Sequence, residues 1–205
     1  PIDRVFTMKG FGTVVTGTIV SGKVSVGDAV EVLPKGFEAK VRGVQAHGKP
    51  VESATAGLRA GINLQGLEKA VIDRGDVLVQ SQSLKSTLLV DGVFQLLPGT
   101  PKPLKNRARV RLHVGTAEAL ARVVLLDREE IQAGEEAYLQ VRVESPIVAL
   151  PGDRFVLRSY SPIFTIGGGE ILDAFPSRRK RLAAESRGTR HPRTGVAGGE
   201  AGPQA

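Results

Sequence analysis

The chain has 205 residues, of which 41% are hydrophobic and 24% are Asp, Glu, Lys or Arg, with a net charge of +7 and no Cys. That length suits one large domain or two small ones. The missing thiols exclude a disulfide framework and a thiolate metal centre, and no apolar run approaches the ~20 residues a membrane-crossing helix needs, so a reducing, cytoplasmic setting without a membrane partner is expected.

At the start, Pro1 to Gly10 mix acid, base and apolar positions without the order of a signal peptide. The lack of an initiator Met points to a piece of a longer protein. Val, Ile, Thr and Leu then recur with period two, the mark of strands rather than helices. Strands are predicted over Thr13 to Val20, Asp28 to Leu33, Lys40 to Ala46, Arg59 to Gln65 and Asp76 to Gln80, a spacing that suits a small closed barrel.

Within this set lies Gly43 to Pro50 (GVQAHGKP), one position short of the phosphate-binding loop G-x-x-x-x-G-K-[ST]. Pro50 supplies neither the hydroxyl that would hold Mg²⁺ nor a backbone N–H for phosphate, and no helix pattern follows to complete an anion site. Nucleotide binding is therefore rejected here. Gly10 to Gly17 (GFGTVVTG) likewise misses the G-x-G-x-x-G spacing of a dinucleotide loop.

Three tripeptides, Val26-Gly27-Asp28, Arg74-Gly75-Asp76 and Pro151-Gly152-Asp153, each precede an apolar strand. Gly accepts a positive φ and Asp bonds nearby backbone, so all three read as sharp turns. The Arg-Gly-Asp spelling at 74–76 is thus turn chemistry rather than an adhesion motif.

Ser81 to Thr87 forms a polar join. A second set of strands is predicted over Leu88 to Leu97, Ala108 to Val114, Ala119 to Leu126, Glu136 to Val143, Arg154 to Arg158 and Gly168 to Leu172. In this second set, Lys105, Arg107, Arg109, Arg111 and His113 all fall on odd positions and would share one face of a strand. The alternate residues from Ala108 to Val114 are apolar, so the cations point outward.

From Arg178 to Ala205 seven basic residues face two acidic ones, which leaves a balance of only +2 in the other 177 residues. This Gly-, Pro-, Ala- and Arg-rich end has no apolar periodicity and is expected to be a disordered, solvated tail.

Enzyme signatures are missing. His47, His113 and His191 lie far apart with no carboxylates at metal-ligand spacing, and Ser83, Ser86 and Ser161 lack a nucleophile elbow. No catalytic residue, metal site or cofactor is assigned to this chain.

The opening PIDRVFTMKGFGTVVTGTIVSGKVSVGDAVEVLP, with its phrase G-x-G-T-V-V-T-G, resembles the start of the second domain of translational GTPases, and AGLRAGINLQGLEKAVIDRGDVL resembles the closing strands of that barrel. RVRLHVGTAEALARVVLLD and ALPGDRFVLRSYSPIFTIGGGEILD resemble the third domain of the selenocysteine-specific elongation factor. The resemblance covers about residues 1–177. It implies an all-β chain of two tandem antiparallel β-barrels of the translation-factor type: 1–82 like domain II, 83–177 like domain III, and 178–205 the tail.

The resemblance also implies a function, namely the tRNA-binding part of a GTP-dependent factor delivering selenocysteyl-tRNA to the ribosome. GTP and Mg²⁺ would then belong to a GTPase domain outside this chain. Where elongation factor Tu relatives read Ile-Glu-Asp-Val-Phe, this chain has Arg4, and where their later strand has Asn it has Arg59. A selenol is ionised at neutral pH while the hydroxyl of the serine precursor is not, and cations provided for an anion are left unpaired by a neutral ligand. In the family the matching pair lines the aminoacyl pocket; the bland reading is two exposed barrel-edge charges. Likewise, Lys105, Arg107, Arg109, Arg111 and His113 would either contact the tRNA backbone without reading bases or pair with Glu129, Glu130, Glu135 and Glu136. Two alternatives stand beside this function. One is the equivalent barrels of a factor of the Tu or initiation type; the other is a β-barrel module that binds protein or carbohydrate.

Overall fold

A computed structural model describes residues 1–8 and 12–178 of the chain. The expected tail, apart from Arg178, lies outside the described residues. Nine strands form the first part: β1 (Ile2–Met8), β2 (Gly12–Thr18), β3 (Lys23–Ser25), β4 (Ala29–Leu33), β5 (Phe37–Ala46), β6 (Lys49–Val51), β7 (Ser53–Thr55), β8 (Arg59–Gln65) and β9 (Val77–Gln80), with one 3-10 turn at Lys69–Val71. Eight more follow: β10 (Thr87–Leu96), β11 (Leu104–Lys105), β12 (Arg109–Val114), β13 (Ala117–Leu125), β14 (Glu130–Ile131), β15 (Glu136–Ile147), β16 (Arg154–Ser159) and β17 (Thr165–Asp173).

The first strands make a seven-stranded antiparallel sheet in the order β1-β2-β8-β5-β4-β9, with β6 on β5, and a separate ribbon of β3 and β7. Among the described residues no ladder joins the two ends of this sheet. β1 and β9 meet only at one corner, where the Ile2 N–H donates to the Asp76 carbonyl at 2.8 Å and the Gly75 N–H donates to the Ile2 carbonyl at 3.0 Å. Val15, Val32, Val41, Val44 and Leu64 pack inside the curve.

The second set does close, in the order β10-β15-β13-β12-β16-β17. Phe94, Leu112, Leu125, Leu139, Leu157 and Ile171 fill it, contributed by all six strands. Closure depends on the glycine run of β17. A Cβ on Gly169 would lie 2.0 Å from the Val93 carbonyl oxygen and 2.7 Å from the Phe155 ring, and one on Gly167 would lie 2.2 Å from the Gln95 carbonyl oxygen. Without side chains these residues let β17 lie directly on β10, beside the stacked rings of Phe94 and Phe155.

The three Gly-Asp turns share one geometry. Gly27, Gly75 and Gly152 have φ of 93°, 101° and 91°, and the carboxylates of Asp28, Asp76 and Asp153 accept from the backbone N–H three residues earlier, at 2.8, 2.8 and 2.9 Å. The aspartate of Arg-Gly-Asp is buried, accepts from Lys35 at 3.0 Å, and is thus turned away from any adhesion partner. Gly43 to Pro50 is a hairpin: His47 and Gly48, both with positive φ, reverse the chain from β5 into β6.

Ile2 also joins the two parts, since its carbonyl accepts the Thr116 hydroxyl at 2.8 Å. A cleft of about 820 Å³ runs beside this contact, lined by Ile2, Val15, Val77, Val79, Val114 and Leu150 among others.

Candidate functional site

Arg4 and Arg59 reach the same outer face of the first sheet. Arg4 stands opposite Thr16 across β1 and β2, and Arg59 stands opposite Thr18 across β8 and β2. With neighbouring strands ~4.8 Å apart and two residues rising ~6.8 Å, their backbones lie roughly 12 Å apart, a span two extended arginines can bridge. Gly61 of β8, opposite Thr16 and Gln45, carries no side chain on this face, while Thr16 and Thr18 of β2 stand between Arg4 and Arg59.

The register of β1 shifts between Ile2 and Arg4. At this bulge the buried Ile2 is followed by two residues, Asp3 and Arg4, that both face outward. The Asp3 carboxylate accepts the Thr16 hydroxyl at 2.7 Å and both terminal nitrogens of Arg59, one of them at 3.0 Å. The Arg59 hydrogen bond, then that of Thr16, hold the Asp3 carboxyl below its ordinary range, and Asp3 in turn raises Arg59. Arg4 has no ion pair among the described residues. Asp3 carries no motif and spacing does not find it, because it joins Arg59 only through the bulge.

The cationic stripe is not one strand. Lys105 belongs to β11, opposite Glu130 of β14, and Arg107 sits at a turn with φ 64° where the Ala108 N–H donates to the Lys105 carbonyl at 3.1 Å. That reversal separates both residues from Arg109, Arg111 and His113, which do share the outer face of β12. The expected acid partners are corrected as well. Arg109 pairs with Glu144 through two hydrogen bonds of 2.9 and 2.7 Å, and Arg111 pairs with Glu118 at 2.6 Å. Each arginine depresses its carboxyl. Of the four expected glutamates, Glu130 faces Lys105 and Glu129 accepts from the Asn106 side chain at 3.3 Å.

Cross-strand register adds arginines that spacing along one strand cannot reveal. Arg109 lies opposite Arg122 of β13, Arg122 opposite Arg142 of β15, and Arg111 opposite Arg158 of β16. Tyr160 continues from β16, with the Arg109 guanidinium 4.6 Å and that of Arg111 5.8 Å from its ring centre. Burial pushes the His113 imidazole below its usual value; facing Glu118 raises it, and nearby Arg158 and Arg111 lower it further.

No group of three or more His, Asp or Glu among the described residues is placed to hold a metal ion. The hairpin at 43–50 offers neither a phosphate cradle nor a hydroxyl for Mg²⁺. No helix of the described residues is long and apolar enough to cross a membrane.

Residues 12–79 match the family model of elongation factor Tu domain 2, which makes the first sheet a β-domain of the translation-factor class. Residues 93–178 match the model of the selenocysteine-specific elongation factor, beta-barrel domain. The chain is similar to the selenocysteine-specific elongation factor of Desulfomicrobium baculatum, with 45% identity over 88% of this chain and 28% of that protein. It is 33% identical to those of Escherichia coli, over 90% of the chain and 28% of the relative, and of Methanocaldococcus jannaschii, over 84% and 40%. The chain belongs to the selenocysteine-specific elongation factor family and spans well under half the length of these relatives.

Proposed function

We propose that this chain is the tRNA-binding portion of a GTP-dependent elongation factor that delivers selenocysteyl-tRNA to the ribosome. Residues 1–82 act as its domain II-like unit and 83–177 as its domain III-like unit. GTP, Mg²⁺ and hydrolysis belong to a GTPase domain outside this chain, and the setting is the cytoplasm.

The observation that carries this reading is the common outer face of Arg4 and Arg59, which flank β2 at Thr16 and Thr18. A selenolate entering there gains charge-assisted hydrogen bonds from guanidinium groups. A serine hydroxyl gives no such compensation, so discrimination follows from charge rather than size. Asp3 braces Arg59 directly, and Arg4 adds its charge to the same carboxylate without an ion-pair contact among the described residues. Lys105, Arg107, Arg109 and Arg111 contribute cations, and His113 a neutral imidazole, toward the tRNA backbone, and the charged part of this contact weakens as salt rises.

The test joins this chain to its GTPase domain and compares binding of selenocysteyl-tRNA with its seryl precursor. Preference for the selenol form, reduced in Arg4→Gln and Arg59→Gln, is expected. Equal affinity for the two, unchanged by either substitution, defeats the selenolate pocket and leaves a generic tRNA carrier of the Tu or initiation type.

A further inference from the structure

Like charges directly opposite on antiparallel strands destabilise a sheet. The barrel nevertheless sets three such pairs on one outer face: Arg109 with Arg122, Arg122 with Arg142, and Arg111 with Arg158. Glu144 and Glu118 answer Arg109 and Arg111. Arg122 and Arg158 have no carboxylate in ion-pair contact among the described residues; Arg122 donates to the Arg107 carbonyl at 3.5 Å, and at longer range its charge acts on Glu144 and that of Arg158 on Glu118.

A second observation concerns the same place. Four buried side-chain nitrogen or oxygen atoms among the described residues have no hydrogen-bond partner, and three of them are Arg111 Nε, Arg158 Nε and His113 Nε2, clustered on neighbouring positions of β12 and β16. Orphaned donors beside opposed guanidinium groups are costly in the free protein. A phosphate at the accessible guanidinium tips would offset the like-charge cost, while the buried Nε and Nε2 atoms lie out of its reach.

The pattern has a direction. Tyr160, Arg109, Arg122 and Arg142 form a row that crosses β16, β12, β13 and β15, with Arg158 and Arg111 in the row beside it. Three inter-strand gaps of ~4.8 Å make the row roughly 14 Å long, room for more than one phosphate. The carboxylates of Glu144 and Glu118 hold Arg109 and Arg111 extended, so the row is ordered before a ligand arrives.

We propose that Arg122, Arg142 and Arg158, with Arg109 and Arg111, form a phosphodiester-binding track that lays an RNA strand across the barrel, at right angles to β12. This rests on the reading of the chain as a tRNA-binding portion and moves the contact from a stripe along one strand to a row across four. Phosphate contacts of this kind position the RNA and carry no sequence information.

The slope of log affinity against log salt, measured for tRNA with the unaltered chain, Arg122→Gln, Arg158→Gln and the remote control Lys40→Gln, tests the track. Each track substitution is expected to flatten the slope by about 0.7 to 0.9, Lys40→Gln to leave it unchanged, and neither track variant to melt below the unaltered chain. Binding that persists with unchanged slopes in both track variants overturns the track while sparing the function. Absence of tRNA binding by the unaltered chain, also when joined to its GTPase domain, defeats both. Lower melting temperatures in the track variants would make these arginines structural, and competition by inorganic polyphosphate equal to that by RNA at matched charge would overturn the RNA assignment.

Discussion

The Asp3 carboxylate receives both terminal nitrogens of Arg59 across strand β2, and a β-bulge puts it within reach. The carboxyl is held below its ordinary range, chiefly by that hydrogen bond. A depressed folded pKa means that its stabilising effect is complete above the unfolded value of ~3.9 and is lost as pH falls through the folded one. Asp3→Asn is therefore expected to melt slightly below the unaltered chain at pH 7, with the gap closing toward pH 3. A gap that does not depend on pH would show that Asp3 acts through something other than its charge. The effect is small because Arg59 is largely exposed.

His113 works in a different window. Burial lowers its pKa, so the folded state disfavours the imidazolium relative to the unfolded chain. Stability from this source is full above the unfolded value of ~6.5 and declines as pH drops below it. Facing Glu118 moderates the effect, and Arg111 and Arg158 strengthen it. Melting curves of the unaltered chain are expected to shift downward between pH 7 and 5, and His113→Gln to remove much of that shift.

Gly169→Ala probes barrel closure. The added methyl meets the Val93 carbonyl oxygen at 2.0 Å, and backbone cannot yield as a flexible side chain would. A loss of about 3 kcal/mol is expected from the forced displacement of β17, read from the denaturant midpoint at unchanged slope. Gly12→Ala tests something else, since no atom of the described residues lies within 4 Å of the added Cβ, while its φ of 83° opposes the substitution.

Arg107 holds a left-handed conformation, φ 64°, at a turn position where glycine is at ease. Relief of ~1–2 kcal/mol of backbone strain, set against the extra entropy glycine has in the unfolded chain, leaves a net gain of roughly 0.5 kcal/mol for Arg107→Gly. The same substitution is expected to weaken tRNA binding and flatten its salt dependence. A variant both more stable and unaltered in binding would remove Arg107 from the RNA-contacting set.

Local signals carried much of the architecture. The strand expected over Arg59 to Gln65 coincides with β8, and those expected at Leu88 to Leu97 and Ala119 to Leu126 differ from β10 and β13 by a residue or two at their ends. Alternation and turn chemistry suffice for such elements, as the three Gly-Asp turns illustrate. The ribbons β3, β7, β11 and β14 escape because two or three residues hold no period. β1 escapes because its bulge breaks alternation between Ile2 and Arg4. The stripe misled for a related reason: odd spacing continues through Arg107, but one positive φ ends the strand's geometry there. Arg122, Arg142 and Arg158 were invisible because opposition across strands is a property of register, which no single strand displays.

The contrast between a ladder that closes and one that does not has a consequence for solution behaviour. A cylinder of six strands has no free rim on which another chain can template itself, whereas β1 and β9 each keep one side of their backbone without a ladder partner. Heat or mild denaturant that loosens the corner at Ile2, Gly75 and Asp76 would expose these two rims first. Self-association through intermolecular strand addition should therefore begin in the amino-terminal half, with the carboxy-terminal cylinder carried along intact.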